Sequence, residues 1–124
     1  MGLKPFEIKH TALDSGILVL TLSGTMTMGD QLQKFEGTVK DLAKNQQSRI
    51  VVDMSGISYI DSTAIGALVS CHSVLKNSRG QMRLAALQER VAKIVQLCGV
   101  DRILHIDPNQ DAAVAGFPSP AASS

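Results

Sequence analysis

The sequence predicts a single mixed α/β domain, with a mostly parallel sheet of about five strands and about four helices. Three observations carry this reading. Short, β-branched runs alternate with stretches whose apolar residues recur at three- and four-residue spacing. The chain opens with two extended runs joined by a turn, the pattern of a hairpin. The later runs are separated by helical stretches, the connections that parallel neighbours require.

The elements follow in the order β-β-α-β-α-β-α-β-α. "FEIKHTALDSGILVLTLSG" reads as the hairpin, turning at Asp14-Ser15-Gly16. Ile17, Val19 and Thr21 alternate with Leu18, Leu20 and Leu22, so both faces of this strand are expected to be covered. A loop follows Gly24. Asp30 then offers an N-cap for a helix whose Leu32, Phe35, Val39 and Leu42 share one face. "RIVVDM" suits a central buried strand, with "SGISYI" as the loop after it. A helix starting at Asp61 or Ser62 is next, and "MRLAAL" is another strand. "ERVAKIVQLCG" is a helix with Val91, Ile94, Val95 and Cys98 inward and Gly99 as its C′ residue. "RILHI" and "NQDAAVAGF" supply a last strand and a short helix. The domain is expected to span residues 1–115, with a disordered Pro/Ser/Ala-rich tail at 116–124.

Composition removes several classes of function. The 124 residues include 12 basic and 11 acidic side chains, a net charge of +1. That balance gives no electrostatic footprint for nucleic acid or an anionic membrane. Aromatic residues are 3% and Trp is absent, so there is no platform on which bases would stack. The opening "MGLKPFEIKH" lacks an apolar signal core, and Phe6 occupies the Ser/Thr position of a myristoylation motif. No apolar run reaches the length of a membrane span. These features predict a cytoplasmic protein. Cys71 and Cys98 lie in apolar helical patterns without CxxC spacing, as two buried small hydrophobes would in a reducing compartment.

The stretch "YIDSTAIGALVSCHS" is the unusual one. No side chain between Asp61 and Lys76 is formally charged if His72 is neutral. At about 100° per residue, Ile65, Leu68, Val69, His72 and Leu75 fall on one side, the expected core side. Thr63, Gly66, Ala67, Ser70, Ser73 and Val74 fall opposite, with Ser62 at the border. A small, uncharged outer face fits either packing against another element of the chain or docking by a partner. The start of this helix follows a strand end, the edge where open α/β sheets place their sites.

Enzymatic readings find little support. Ser62 and His72 are ten residues apart on one helix, about 15 Å, too far for a shared hydrogen bond. His10 and His105 sit in strand-like runs without metal-ligand spacing. Neither GxGxxG nor GxxxxGK[ST] occurs. Asp53 and Asp61 flank one loop and are read as caps of the loop and of the helix. No catalytic residue, cofactor or metal is expected.

"IVVDMSGISYIDSTAIGALV" resembles the central motif of the STAS domain of bacterial anti-sigma factor antagonists. There an apolar strand ends in Asp, and a loop leads to Asp-Ser-Ser/Thr-Gly at a helix start. "ILVLTLSGTM" is similar to the family's second strand and Leu-x-Gly turn, and "VAKIVQLCGVDRILHI" to its third helix and final strand. The resemblance runs over roughly residues 5–115. Ala64 stands where the family most often has Gly, and Thr25-Met26-Thr27 stands where it often has an acid, a hydrophobe and Asp.

The resemblance implies an anti-sigma factor antagonist with Ser62 as its phosphorylation site. An anti-sigma factor with serine kinase activity would phosphorylate Ser62, and a serine phosphatase would reverse it. The unphosphorylated form would bind the anti-sigma factor and release a sigma factor. The contact would involve Asp61, Ser62, Thr63, Gly66, Ala67 and Ser70, without nucleic acid or membrane. The same resemblance admits a non-switching binding or scaffold module, in a sensory assembly or in lipid transport, with a nucleotide or small ligand at the same strand ends as a further variant.

Overall fold

The structure, a computed structural model, describes residues 5–13 and 15–117. Its elements run β1 (Glu7–Ala12), β2 (Leu18–Met26), α1 (Asp30–Lys44), β3 (Arg49–Ile60), α2 (Ser62–Asn77), β4 (Gln81–Ala85), α3 (Glu89–Leu97), a 3-10 turn (Val100–Arg102), β5 (His105–Asp107) and α4 (Gln110–Ala115). The element order is the one the sequence predicts. Asp14 of the expected turn and residues 118–124 of the expected tail lie outside the described residues.

The strands form one sheet in the order β1-β2-β3-β4-β5. β1 pairs antiparallel with β2, and each later neighbour pairs in parallel. Two apolar clusters sandwich this sheet. Leu18, Leu20 and Leu22 of β2 join the large cluster, which includes Phe35 of α1, Leu68 of α2 and Val95 of α3. Ile17 and Val19 join the small cluster, with Val51, Ala85, Ala113 and Phe117. The alternation in β2 is therefore a strand buried on both faces. Full burial of an apolar side chain of this size stabilises by about 1.5–3 kcal/mol relative to exposure.

Outside α2, local expectations fail at five places, each for a physical reason. Asp30 does not cap α1: it is the first helical residue, Gly29 holds the cap position, and no side chain bonds there. "SGISYI" is not a loop, because β3 continues through it with Ile57 and Ile60 buried. The pairing with β2 slips between Thr21 and Ser23 and again between Gly24 and Thr25, so the strand proceeds through irregularities that hide its period. Gly56 permits this: a Cβ there would lie 2.8 Å from the Leu22 carbonyl oxygen. Cys98 is exposed, since α3 ends at Leu97 and turns away at Gly99 (φ 75°). In "RILHI" only His105 and Ile106 are strand; Val100–Arg102 makes a 3-10 turn that drops Leu104 into the core. Finally, Phe117 packs in the second cluster, beyond the expected domain limit at 115.

Candidate functional site

The carboxyl ends of β2 and β3 place the start of α2. Ile60, the last residue of β3, is buried, and Asp61 follows it. The Asp61 backbone N–H donates to the Met26 carbonyl at 3.2 Å, continuing the sheet contact past the strand end. Its carboxylate then serves two donors. Oδ1 accepts from the Ala64 N–H at 2.8 Å, the N-cap bond of α2. Oδ2 accepts from the Met28 N–H at 2.9 Å, which pins the segment between β2 and α1 to the helix start. Asp53 caps no loop, since β3 runs on through it; its Oδ1 accepts from the Ser55 N–H at 2.9 Å within the strand.

With Asp61 engaged, Ser62 and Thr63 occupy the first two helical positions, and both are exposed. The first-turn N–H groups of a helix and its dipole favour an anion there. Gly66 is exposed next to them, Ser70 is half-buried, and Ser73 is exposed. Spacings of four, four and three from Ser62 lay these residues along one strip. A Cβ built on Gly66 would meet nothing within 4 Å. No part of the described chain occupies the space beside it.

Ala67 does not belong to this strip. It is buried, together with Ala64 and Cys71, in the large cluster. Helix α1 packs against α2, so the buried stripe turns towards Ala64, Ala67 and Cys71. Val69 and His72, expected in the core, are only half-buried. Burial pushes the Cys71 thiol up to about 12, with Glu36 adding to the shift and Lys40 opposing it. Cys71 is thus a protonated core residue at neutral pH.

The structure adds residues that the sequence reading did not single out. Met28, held by Asp61, is 75% exposed beside the helix start. Its signal was an apolar residue just ahead of Gly29-Asp30 and outside the period of α1. Along the same sheet edge, Arg90 lies 5.3 Å from the Tyr59 ring centre, and with Thr25 and Ser58 they line a shallow recess. Gln88 Nε2 donates to the Ser55 carbonyl at 2.8 Å and ties α3 to this rim. Among the described residues, no three His, Cys, Asp or Glu side chains gather as metal ligands, and no helix is long and apolar enough to cross a membrane. The arrangement is an exposed hydroxyl at a helix N-terminus, flanked by small polar residues and one exposed methionine.

Comparison with known proteins gives this geometry a family. The anti-sigma-B factor antagonist of Bacillus subtilis is 26% identical over 69 residues, which is 56% of this chain and 63% of that relative's length. The chain thus matches less than two thirds of that relative. An anti-sigma factor antagonist from Mycobacterium paratuberculosis has a similar fold, with a TM-score of 0.78, 18% identity, and coverage of 97% of this chain and 96% of the other. The anti-sigma factor antagonist SpoIIAA in its unphosphorylated form gives a TM-score of 0.75 at 16% identity, covering 90% and 99% of the two chains. Its phosphorylated form gives 0.69 at 14% identity, covering 88% and 97%. At these identities the structural likeness speaks for the fold. Residues 10–113, from β1 into α4, match the STAS domain, and the chain belongs to that family.

Proposed function

We propose that this protein is an anti-sigma factor antagonist whose docking is switched by phosphorylation of Ser62. The observation that carries the reading is the surface of α2. Ser62 is exposed at its first position, and the strip running from it through Gly66 is small and unfilled by the described chain. Relatives named anti-sigma factor antagonists, and a structural neighbour solved in both phosphorylation states, support it. The partner is an anti-sigma factor with serine kinase activity, docking over Ser62, Thr63, Gly66 and Ser70 with Met28 at the border. Asp61 contributes by positioning the helix start, since both its oxygens are already engaged. A serine phosphatase restores the docking form. The protein acts by binding and not by turnover, in the cytoplasm.

The physics of the switch is local. Phosphorylation adds nearly two negative charges and three acceptor oxygens. The N-terminus of α2 accommodates that anion, so the fold survives. A closely packed partner does not accommodate it, because an unpaired charge buried in an interface is strongly unfavourable. At about 1.4 kcal/mol per tenfold, a penalty of a few kcal/mol moves affinity by orders of magnitude.

The test uses the cognate anti-sigma factor kinase with ATP. Wild-type protein is expected to incorporate phosphate and then lose binding, and Ser62→Ala to bind without being labelled. Ser62→Asp is expected to melt near wild type with reduced affinity, a partial mimic carrying one charge. Labelling that persists in Ser62→Ala would reassign the site. Full binding by a folded Ser62→Asp would favour a non-switching binding module.

A further inference from the structure

At the opposite edge of the sheet, the amino ends of β3, β4 and β5 and the last turns of α2 surround an open pocket of about 680 Å³. That volume lies in the range of small-molecule sites. Arg49, His72, Lys76, Arg79 and His105 all line it, and among the described residues no carboxylate does. In a chain of net charge +1, five basic groups from three elements and a turn converge on one pocket. Among the described residues the one ion pair is Arg83–Asp107, and no described carboxylate pairs with Arg49, Lys76 or Arg79. Arg49 donates from Nη2 to the Ser15 carbonyl, a neutral acceptor that leaves its charge in place.

Two cations at a helix C-terminus are ordinarily explained by the helix dipole. That explanation covers Lys76 and Arg79 but not the other three. Nor does it explain the backbone at Arg79, which sits at φ 62°. A left-handed position just past a helix is usually Gly or Asn, because a Cβ is strained there. Here Arg occupies it, with Gly available at the next position. The only buried side-chain polar atoms without a hydrogen-bond partner among the described residues are His72 Nδ1 and Gln81 Oε1, and both residues line this pocket. The rings of His72 and His105 lie 6.0 Å apart between centres, tilted at 54° to one another, in the pocket that Arg49, Lys76 and Arg79 also line.

We infer that this pocket binds a small multivalent oxyanion of the phosphate type, held by Arg49, Lys76, Arg79 and the His72–His105 pair. Phosphate oxygens match the guanidinium fork and the lysine ammonium. Phe117 and Ile103 line the same pocket and offer an apolar wall to a larger phosphate ester. The site lies about 15 Å along α2 from Ser62, counting ten residues to His72, so it is separate from the partner-docking strip and does not depend on that reading.

The experiment is calorimetric titration of the full chain at low salt with inorganic pyrophosphate, inorganic phosphate and phenyl phosphate. His72 and His105 are followed in parallel by NMR. Saturable binding is expected, weakening with added salt and shifting both imidazole resonances. Lys76→Gln combined with Arg79→Asn is expected to weaken binding by at least about tenfold, since each removes a charge-assisted hydrogen bond. Both residues are exposed, and Asn tolerates the left-handed backbone, so the variant should stay folded. Tighter binding of phenyl phosphate than of phosphate would assign the site to the phosphate end of a larger molecule, and equal binding to an inorganic anion. Absence of saturable binding, or equal affinity in the folded double variant, would overturn the inference.

Discussion

Asp61 concentrates more structural work than any other polar residue near the candidate site. One carboxylate closes the α2 N-cap and also holds Met28. Only one of the two bonds was legible: the cap was expected of Asp61 at the helix start, whereas the Met28 bond joins residues 33 apart in sequence. Losing an N-cap of this type costs about 0.5–2 kcal/mol. Asp61→Ala should therefore destabilise by about that amount in urea unfolding. Asp61→Asn should cost less, because its amide oxygen can still accept from Ala64. It would, however, turn an NH2 towards the Met28 N–H in place of an acceptor. The Asn variant should accordingly keep α2 intact while loosening the segment around Met28, seen as faster amide exchange at Met28 alone. Equal exchange in both variants and wild type would mean that the second bond does not hold this segment. Ser62 itself was legible without structure, because a hydroxyl directly after a capping acid can only sit in the first turn.

Helix α2 shows where a single-helix wheel succeeds and where it stops. Ile65, Leu68 and Leu75 are buried as their spacing requires. The phase of the stripe was misjudged, because small and apolar residues surround most of the helix and α1 covers a second flank that the local sequence does not encode. Ala67 was lost to that flank, while Ser62, Thr63 and Gly66 remained outside. Strand β3 fails for a related reason: Gly56 and the slipped pairing with β2 break the alternation that marks a strand. Gly66 gives the element its sharpest test. In a helix interior Gly costs about 1 kcal/mol relative to Ala, and here a Cβ would meet nothing. Gly66→Ala should raise stability by up to about 1 kcal/mol. Gly66→Glu should fold normally, and both should weaken partner binding, Glu more than Ala. Unchanged binding by both would place the docking surface elsewhere, whatever happens to stability.

At the level of the whole molecule, the sheet separates two chemistries, with the small polar strip at the carboxyl edge and the basic pocket at the amino edge. The mostly parallel sheet was legible because helices separate the later strands, whereas the spatial order of the strands came with the structure, and β2 announced its two buried faces by a mostly apolar run. The second layer was harder to read. Phe117 follows a short helix and precedes a Pro/Ser/Ala-rich run, so local composition placed it in the tail, although it is 8% exposed and packs with Ile17, Val19 and Val51. Phe117→Ala should cost about 3 kcal/mol in global stability; a loss below about 1 would mean that α4 needs no such anchor. The amino edge also gives the fold a pH signature. Burial, then His105 and then Lys76 hold the His72 imidazole below its ordinary value of 6.5, and Arg49 and Arg79 line the same pocket. The unfolded chain regains the ordinary value, so between the two it binds the proton that the folded chain refuses. Stability from this group is therefore complete above about pH 6.5 and declines as pH falls through the lower folded value. Melting temperatures measured in anion-poor buffer from about pH 7.5 to 5 should fall more steeply for wild type than for His72→Gln. Parallel curves would mean that His72 is not held neutral by the fold, and that the positive groups around it are too well solvated to act on one another.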